Sequence, residues 1–292
     1  MSGRSGLLLL DKPQGFTSHD AVARTRRAAG TRKVGHAGTL DPMATGLLVL
    51  GLNSSTRLLT YLVGLDKEYY ATIRLGQTTD SDDADGAVTA TVDASDVTDA
   101  QIEAGIAKLR GQISQVPSTV SAIKVDGKRA YALAREGEEV VLKARTVTIG
   151  VFEVLARRGD DVDVRVECSS GTYIRALARD LGADLGVGGH LTALRRTRIG
   201  PFSIDGAHEI EGLDVPSGLI GPAEAAGLLF PSVILSDQQA VDLQNGKRFE
   251  VAAPDGSPVA AVTASGRLVG LVTIASGRVR TLVNFPTDEV AE

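Results

Sequence analysis

The sequence predicts an α+β fold in two parts, a larger domain over residues 1–226 and a small β-rich module over 227–292. Three observations carry this. Residues 67–75 alternate, with Tyr69, Ala71, Ile73 and Leu75 sharing one face, the period of a half-buried strand. Thr98-x-x-Gln101 is a capping box ahead of Ile102, Ile106 and Leu109, an apolar stripe at helical spacing closed by Gly111. Beyond residue 226, Ser236 caps a helix that stops at Asn245-Gly246. Short strands follow, divided by turns at Pro254-Asp255-Gly256, Ser265-Gly266 and Ser276-Gly277.

The remaining elements follow from the same signals. Leu7 to Leu10 reads as a buried strand and Asp11 to Gly15 as a turn cluster. Thr17 or Ser18 caps a helix that runs to Ala29, with Gly30 as its stop, and this helix carries Arg24, Arg26 and Arg27. Gly35 to Gly46 reads as loop and Leu47 to Leu50 as a buried strand. Ser54 or Ser55 starts a short helix ending near Val63-Gly64, and Asp80 to Gly86 is an acidic loop. Residues 128–136 read as helix. Residues 145–155 and 161–168 read as strands joined by Gly159-Asp160-Asp161, Tyr173 to Leu185 as helix, and His190 to Thr197 as strand. Residues 201–226 are rich in Gly, Pro and Ala without clear periodicity, which places the domain boundary near their end.

Composition narrows the function classes. The opening apolar run is too short for a signal peptide, and no stretch approaches the ~20 apolar residues of a membrane span, so a cytoplasmic protein is expected. The single cysteine, Cys168, excludes an internal disulfide and a cysteine metal cluster, and its place in an alternating valine run marks a core thiol. The net charge of −5 argues against indiscriminate nucleic-acid coating, yet the charge is uneven. Residues 1–80 carry +4 and 111–200 carry +3, against −5 over 81–110 and −7 over 201–292, so two positive regions are available for one phosphate-binding face.

Several site motifs fail. Ser81-x-Asp83-x-Asp85-Gly86 opens like a calcium loop, but the twelfth position is Val92 where a bidentate Glu is required. Neither a nucleotide-triphosphate loop nor a dinucleotide fingerprint is present. The four histidines, at 19, 36, 190 and 208, are scattered, and no G-x-S-x-G elbow occurs, so neither a metal nor a cofactor is expected.

The stretch that carries chemistry is Gly35 to Gly46. Its glycines permit sharp turns and close approach of a ligand, while Pro42 drives Asp41 out of the helical region. One carboxylate is thereby held on a stiffened loop at a sheet edge. Within it, His36-Ala37-Gly38-Thr39-Leu40-Asp41-Pro42-x-Ala44-Thr45-Gly46 resembles the signature of the bacterial tRNA pseudouridine-55 synthases of the TruB family. The resemblance extends over nearly the whole chain. It includes Lys12-Pro13-x-Gly15-x-Thr17-Ser18, and Lys67-x-Tyr69 with Arg74-Leu75-Gly76 and Asp83-Ala84-Asp85-Gly86. It continues through Ser121-Ala122-Ile123-Lys124-x-x-Gly127-Lys128-Arg129-Ala130-Tyr131, Cys168-Ser169-x-Gly171-Thr172-Tyr173-Ile174-Arg175 and Leu194-Arg195-Arg196. Val120 departs from it, standing where such enzymes carry an aromatic residue.

The resemblance implies a pseudouridine synthase fold, with a mixed central sheet flanked by helices, and a PUA-like RNA-binding tail over 227–292. It implies isomerisation of a T-loop uridine of tRNA after the base is flipped out, by a monomer needing neither cofactor nor metal. It assigns Asp41 as the essential carboxylate and Arg175 as its ionic partner. Tyr69 is assigned as the residue that stacks on the base and takes the C5 proton, Leu194 as the apolar contact on its other side, and His36 as the side chain that fills the vacated space. Phosphate contacts are expected from Lys12, Arg26, Arg32, Lys33, Lys67, Lys124, Lys128 and Arg129, with lesser contact from Lys247 and Arg248 in the tail. Two other readings are open to the sequence. One is a tRNA-binding or tRNA-folding protein acting without chemistry. The other is a glycoside-cleaving hydrolase using Asp41, which lacks a visible second carboxylate motif.

Overall fold

Hydrophobic runs set the frame. In the computed structural model, which describes residues 4–119, 124–125, 128–129 and 142–286, the leucine run at the start lies in the buried strand Gly6–Lys12. Two compact units are present. One comprises the described residues of Met1–Leu40, Leu47–Val63 and Pro201–Glu292, and the other those of Asp41–Gly46 and Gly64–Gly200.

In the first unit, Gly6–Lys12 pairs in parallel with His208–Glu209 and antiparallel with Leu219–Ile220, and lies beside Thr45–Leu52 in the sheet. The helix Ser18–Ala29 begins at a Thr17 capping box closed by Asp20 and ends on Gly30 in the left-handed conformation. Ala21 and Val22 on its inner face pack into a cluster with Leu8, Leu10, Val34, Leu48, Leu50 and Leu52. The later four-stranded sheet runs Ser232–Leu235, Gly256–Thr263, Leu268–Ala275, Arg278–Asn284, with a first parallel pair and two antiparallel ones. It has its own core, in which Leu243 of the Ser236-capped helix Asp237–Gln244 meets Val259, Val272 and Ile274. A helix, Pro222–Leu229, runs through residue 226.

The second unit is built on a mixed sheet. Its order is the start of Thr45–Leu52, then Gly189–Ile199, Lys67–Leu75, Asp161–Cys168, Arg145–Arg158 and Gly111–Gln115. The first pairing is parallel and the others antiparallel. The alternation expected over 67–75 is present, with Lys67, Tyr69, Ala71, Ile73 and Leu75 buried. The capping box at Thr98 starts the helix Asp99–Lys108. Cys168 is buried, and that burial pushes its thiol up to about 11, leaving it protonated and inert at neutral pH.

Two local readings change. Gly35 to Gly46 is not all loop. Val34–Ala37 is a strand paired antiparallel with Thr45–Leu52, His36 opposite Leu50, because a ready strand edge satisfies its backbone groups. Lys128–Arg129 is not helical but extended, paired with Lys124–Val125, so cross-strand pairing overrides the local helical pattern. The rest of that expected helix, residues 130–136, lies outside the described residues, as do Val120 and Ser121 to Ile123. Among the described residues no helix is long and apolar enough to cross a membrane.

Candidate active site

Asp41 sits on a turn fixed from both ends. Leu40, the residue before it, donates its N–H to the Ser18 hydroxyl at 2.9 Å, and that hydroxyl donates to the Leu40 carbonyl at 3.1 Å. Within the turn, Ala44 N–H donates to the Asp41 carbonyl at 3.1 Å. The turn closes at Gly46, whose φ of 101° favours glycine, beside the backbone of Arg196. A Cβ added at Gly46 would lie 2.2 Å from the Arg196 carbonyl oxygen. Gly46→Ala is therefore expected to cost about 3 kcal/mol, combining a strained φ with an overpacked contact. Urea unfolding checks it, and an unchanged midpoint would show that the turn gives way freely.

Arg175 is the second residue of the helix Ile174–Asp184. That helix lacks a side-chain cap at Tyr173, and the buried Gln115 amide takes over. Its oxygen accepts from Tyr173 N–H at 2.8 Å and its nitrogen donates to the Tyr173 carbonyl at 3.0 Å. Helix and guanidinium are thus set by the far edge of the same sheet. Arg175 Nε lies 3.0 Å from Asp41 Oδ2, with the arginine side chain 3% exposed and the aspartate 35% exposed. Arg175 Nη1 donates to the Ser81 carbonyl at 2.7 Å and lies 3.4 Å from Asp83 Oδ2. One guanidinium therefore joins a half-exposed carboxylate to a buried one.

The acidic loop rejected as a calcium site is what holds this arginine. Asp83 Oδ1 accepts from Ser81 Oγ at 2.5 Å and from Asp85 N–H at 3.1 Å. Asp82, at a positive φ of 62°, lies 3.2 Å from Arg179 one helical turn beyond Arg175. Burial raises the Asp82 carboxyl above its usual range, against hydrogen bonding from Ser118 and the Arg179 charge.

Tyr69 and Leu194 share the buried face of adjacent strands. Tyr69 pairs with Arg196 and Ala71 with Leu194, each of Tyr69 and Leu194 being 8% exposed. Burial raises the Tyr69 phenol, and the charges of both Arg196 and Asp41 are felt there. The second unit thus brings together Asp41, Arg175, Tyr69 and Leu194. His36 lies in the first unit, on the Val34–Ala37 strand, edge-to-face with His19 at 5.8 Å between ring centroids.

The model for the TruB family pseudouridylate synthase N-terminal domain matches residues 26–174. A curated relative, tRNA pseudouridine synthase B of Leifsonia xyli subsp. xyli, is 60% identical over 98% of both chains. The chain belongs to the TruB family of pseudouridylate synthases. A TruB C-terminal model, tRNA pseudouridylate synthase B C-terminal domain, matches residues 175–215, and one for the C terminus of tRNA pseudouridine synthase II matches 230–286. A second TruB relative, from Arthrobacter sp., is 54% identical over 98% of both chains. Among solved structures, an H/ACA RNP bound to a substrate RNA containing 2′-deoxyuridine is similar with a TM-score of 0.73. That likeness is at 26% identity, over 98% of this chain and 87% of the other. The mixed α+β fold expected from the TruB resemblance is therefore present.

Two of the expected phosphate ligands are buried in this TruB-family structure. Lys12 is fully buried and donates to the Phe16 carbonyl at 2.6 Å and the Pro13 carbonyl at 3.0 Å, closing the turn before the first helix. Lys67 is buried and donates to the Leu65 carbonyl at 2.5 Å. For Lys67 the phase shared with Tyr69 was the available signal, whereas nearly every residue of the Lys12 strand is buried and phase carries none there. Arg26, Arg32 and Lys33 are exposed, as are Lys247 and Arg248. The backbones of Lys124, Lys128 and Arg129 lie on a short antiparallel strand pair. Sequence reasoning missed Asp83, Ser81, Gln115 and Arg196. The Asp83-Ala84-Asp85-Gly86 stretch was the available signal for the first, and its role became visible only with Arg175 beside it.

Burial, and secondarily the charge of Arg196, pushes the Lys67 ammonium down to about 8 from its usual 10.5. Between those values the unfolded chain holds a proton that the folded chain has lost, so this group's contribution to stability rises with pH through that window. Below about 8 both states are protonated, and the cost of the buried charge is fully present. Lys67→Met should flatten the rise. Identical pH slopes for wild type and variant in urea unfolding would count against it.

Proposed function

We propose that this chain isomerises uridine to pseudouridine in the T-loop of tRNA, at position 55, with Asp41 as the essential carboxylate. The observation that carries the reading is the Asp41–Arg175 pair at 3.0 Å, next to the face that holds Tyr69 and Leu194. The reaction breaks the N1–C1′ bond, turns the uracil and joins C5 to C1′. Asp41 begins it by attack at C1′ or by taking a proton from C2′. Both routes need an ionised carboxylate in a fixed orientation, and a guanidinium that stays charged at all relevant pH supplies that orientation.

Tyr69 stacks on the extruded base and receives the C5 proton, Leu194 covers the opposite side, and His36 occupies the space the base leaves. The chemistry calls on neither metal nor cofactor. The protein acts as a cytoplasmic monomer, with residues 1–226 as its catalytic domain and 227–292 as an RNA-binding module. In that tail, Lys247, Arg248, Arg278 and Arg280 line one cleft of about 1050 Å³. These are four of the five basic residues of 227–292, so an acidic module gathers its cations where a phosphate backbone would lie.

The test uses an unmodified tRNA transcript tritiated at uridine C5. Tritium release, with the product mapped to the T-loop, is expected. Absence of release across several intact tRNAs would leave binding and folding of tRNA as the function.

A further inference from the structure

The largest fully buried side chain of the described residues is that of Arg196, 1% exposed. No role follows for it from the chemistry above. A guanidinium kept from water is retained only where something specific compensates its lost hydration. Its position identifies what it serves. Arg196 lies directly opposite Tyr69 across the antiparallel pair and beside Gly46, the last residue of the Asp41 turn, across the parallel pair. The Arg196 and Tyr69 side chains are buried on the same face of the antiparallel pair, so the guanidinium lies within reach of the Tyr69 side chain.

The groups whose electrostatics reach Tyr69 include Arg196 on one neighbouring strand, Cys168 on the other and Asp41 on the turn. Lys67, two residues from Tyr69 on its own strand, also feels Arg196. Burial first, and the charge of Arg196 second, pushes the Lys67 ammonium down. The cross-strand register sets Arg196 directly opposite Tyr69.

We propose that Arg196 is the positioning residue for Tyr69, donating to the phenol oxygen from within the sheet and so fixing the ring plane on which the target base stacks. Arg196 does not touch the substrate and acts through Tyr69. A phenol ring with no such tether turns about its side-chain bonds, and a displacement of about 1 Å at a reacting group costs on the order of 100-fold in rate. The same strand backbone seats the Asp41 turn at Gly46, so one residue sets the register between the carboxylate and the ring.

This rests on the pseudouridine reading, and the test separates the two. Single-turnover tritium release is measured for wild type, Arg196→Gln, Tyr69→Phe and the double variant, with tRNA affinity by filter binding. Arg196→Gln should slow release about 100-fold while affinity stays within about threefold. The double variant should be no slower than Tyr69→Phe alone, because neighbours acting through one contact are not additive. Multiplied losses in the double variant, a wild-type rate in Arg196→Gln, or a matching loss of affinity would each overturn the proposal. If Arg196→Gln does not fold, Arg196→Lys completes the same cycle, since it keeps a charge but offers fewer donors. A second readout needs no activity. With tyrosines labelled by carbon-13 at Cζ, five signals are expected, and the one lost in Tyr69→Phe should move most in the Arg196 variant. An unmoved signal would also overturn the proposal. No release by wild type, with the Tyr69 signal still moving, would instead sink the pseudouridine reading alone.

Discussion

Asp41→Asn should abolish tritium release, by at least ~10⁴-fold in the single-turnover rate, while tRNA affinity stays within about threefold. Asparagine keeps the size of the side chain and one acceptor oxygen for Arg175 Nε, 3.0 Å away in the native pair. It removes the negative charge that attack at C1′ or proton removal at C2′ requires. Asp41 is partly exposed and lies at the surface of a turn held by backbone and Ser18 contacts, so its neutralisation should not unfold the chain. A filter-binding assay beside the release assay separates chemistry from binding. Release at more than a hundredth of the wild-type rate would remove Asp41 from the essential role. Loss of binding in step with activity would mean that the carboxylate serves RNA docking.

Arg175→Met should be nearly as damaging, and for two reasons that different measurements distinguish. The guanidinium joins Asp41 to Asp83, whose side chain is 6% exposed, and it also binds the Ser81 carbonyl. Removing it leaves a buried carboxylate without its cation, which should cost about 3–5 kcal/mol of stability. Loss of the fixed charge beside Asp41 should lower the rate by about 10²–10³. Arg175→Lys separates the effects. An ammonium is a single point of charge and cannot span Asp41, Asp83 and Ser81 together. It should recover most of the stability while recovering little of the rate. Urea unfolding and single-turnover release on both variants check this. A lysine variant at wild-type rate would show that charge alone suffices and that the forked geometry is irrelevant.

Much of this protein follows from local pattern. The alternation through Tyr69 gave a strand with that ring on the buried face, Thr17 and Thr98 gave helix starts, and Gly30 a helix end. The Asp41-Pro42 turn between glycines marked the carboxylate, because a stiff turn at a sheet edge needs those residue types in that order. These features depend on neighbours within a few positions, where steric and hydrogen-bond rules act directly. What tertiary structure alone decided is which distant groups meet. Arg175 was expected to meet Asp41, but its second carboxylate, Asp83, comes from a loop whose own pattern suggested a metal site. The cations divided in the same way. Lys12, Lys67 and Arg196 are buried in strands, whereas Arg26, Arg32 and Lys33, on or just after the first helix, are exposed. The physical reason is that side-chain phase along one strand is local, whereas the cover over each face comes from strand order and register. Those are set by apolar contacts between segments far apart in the chain.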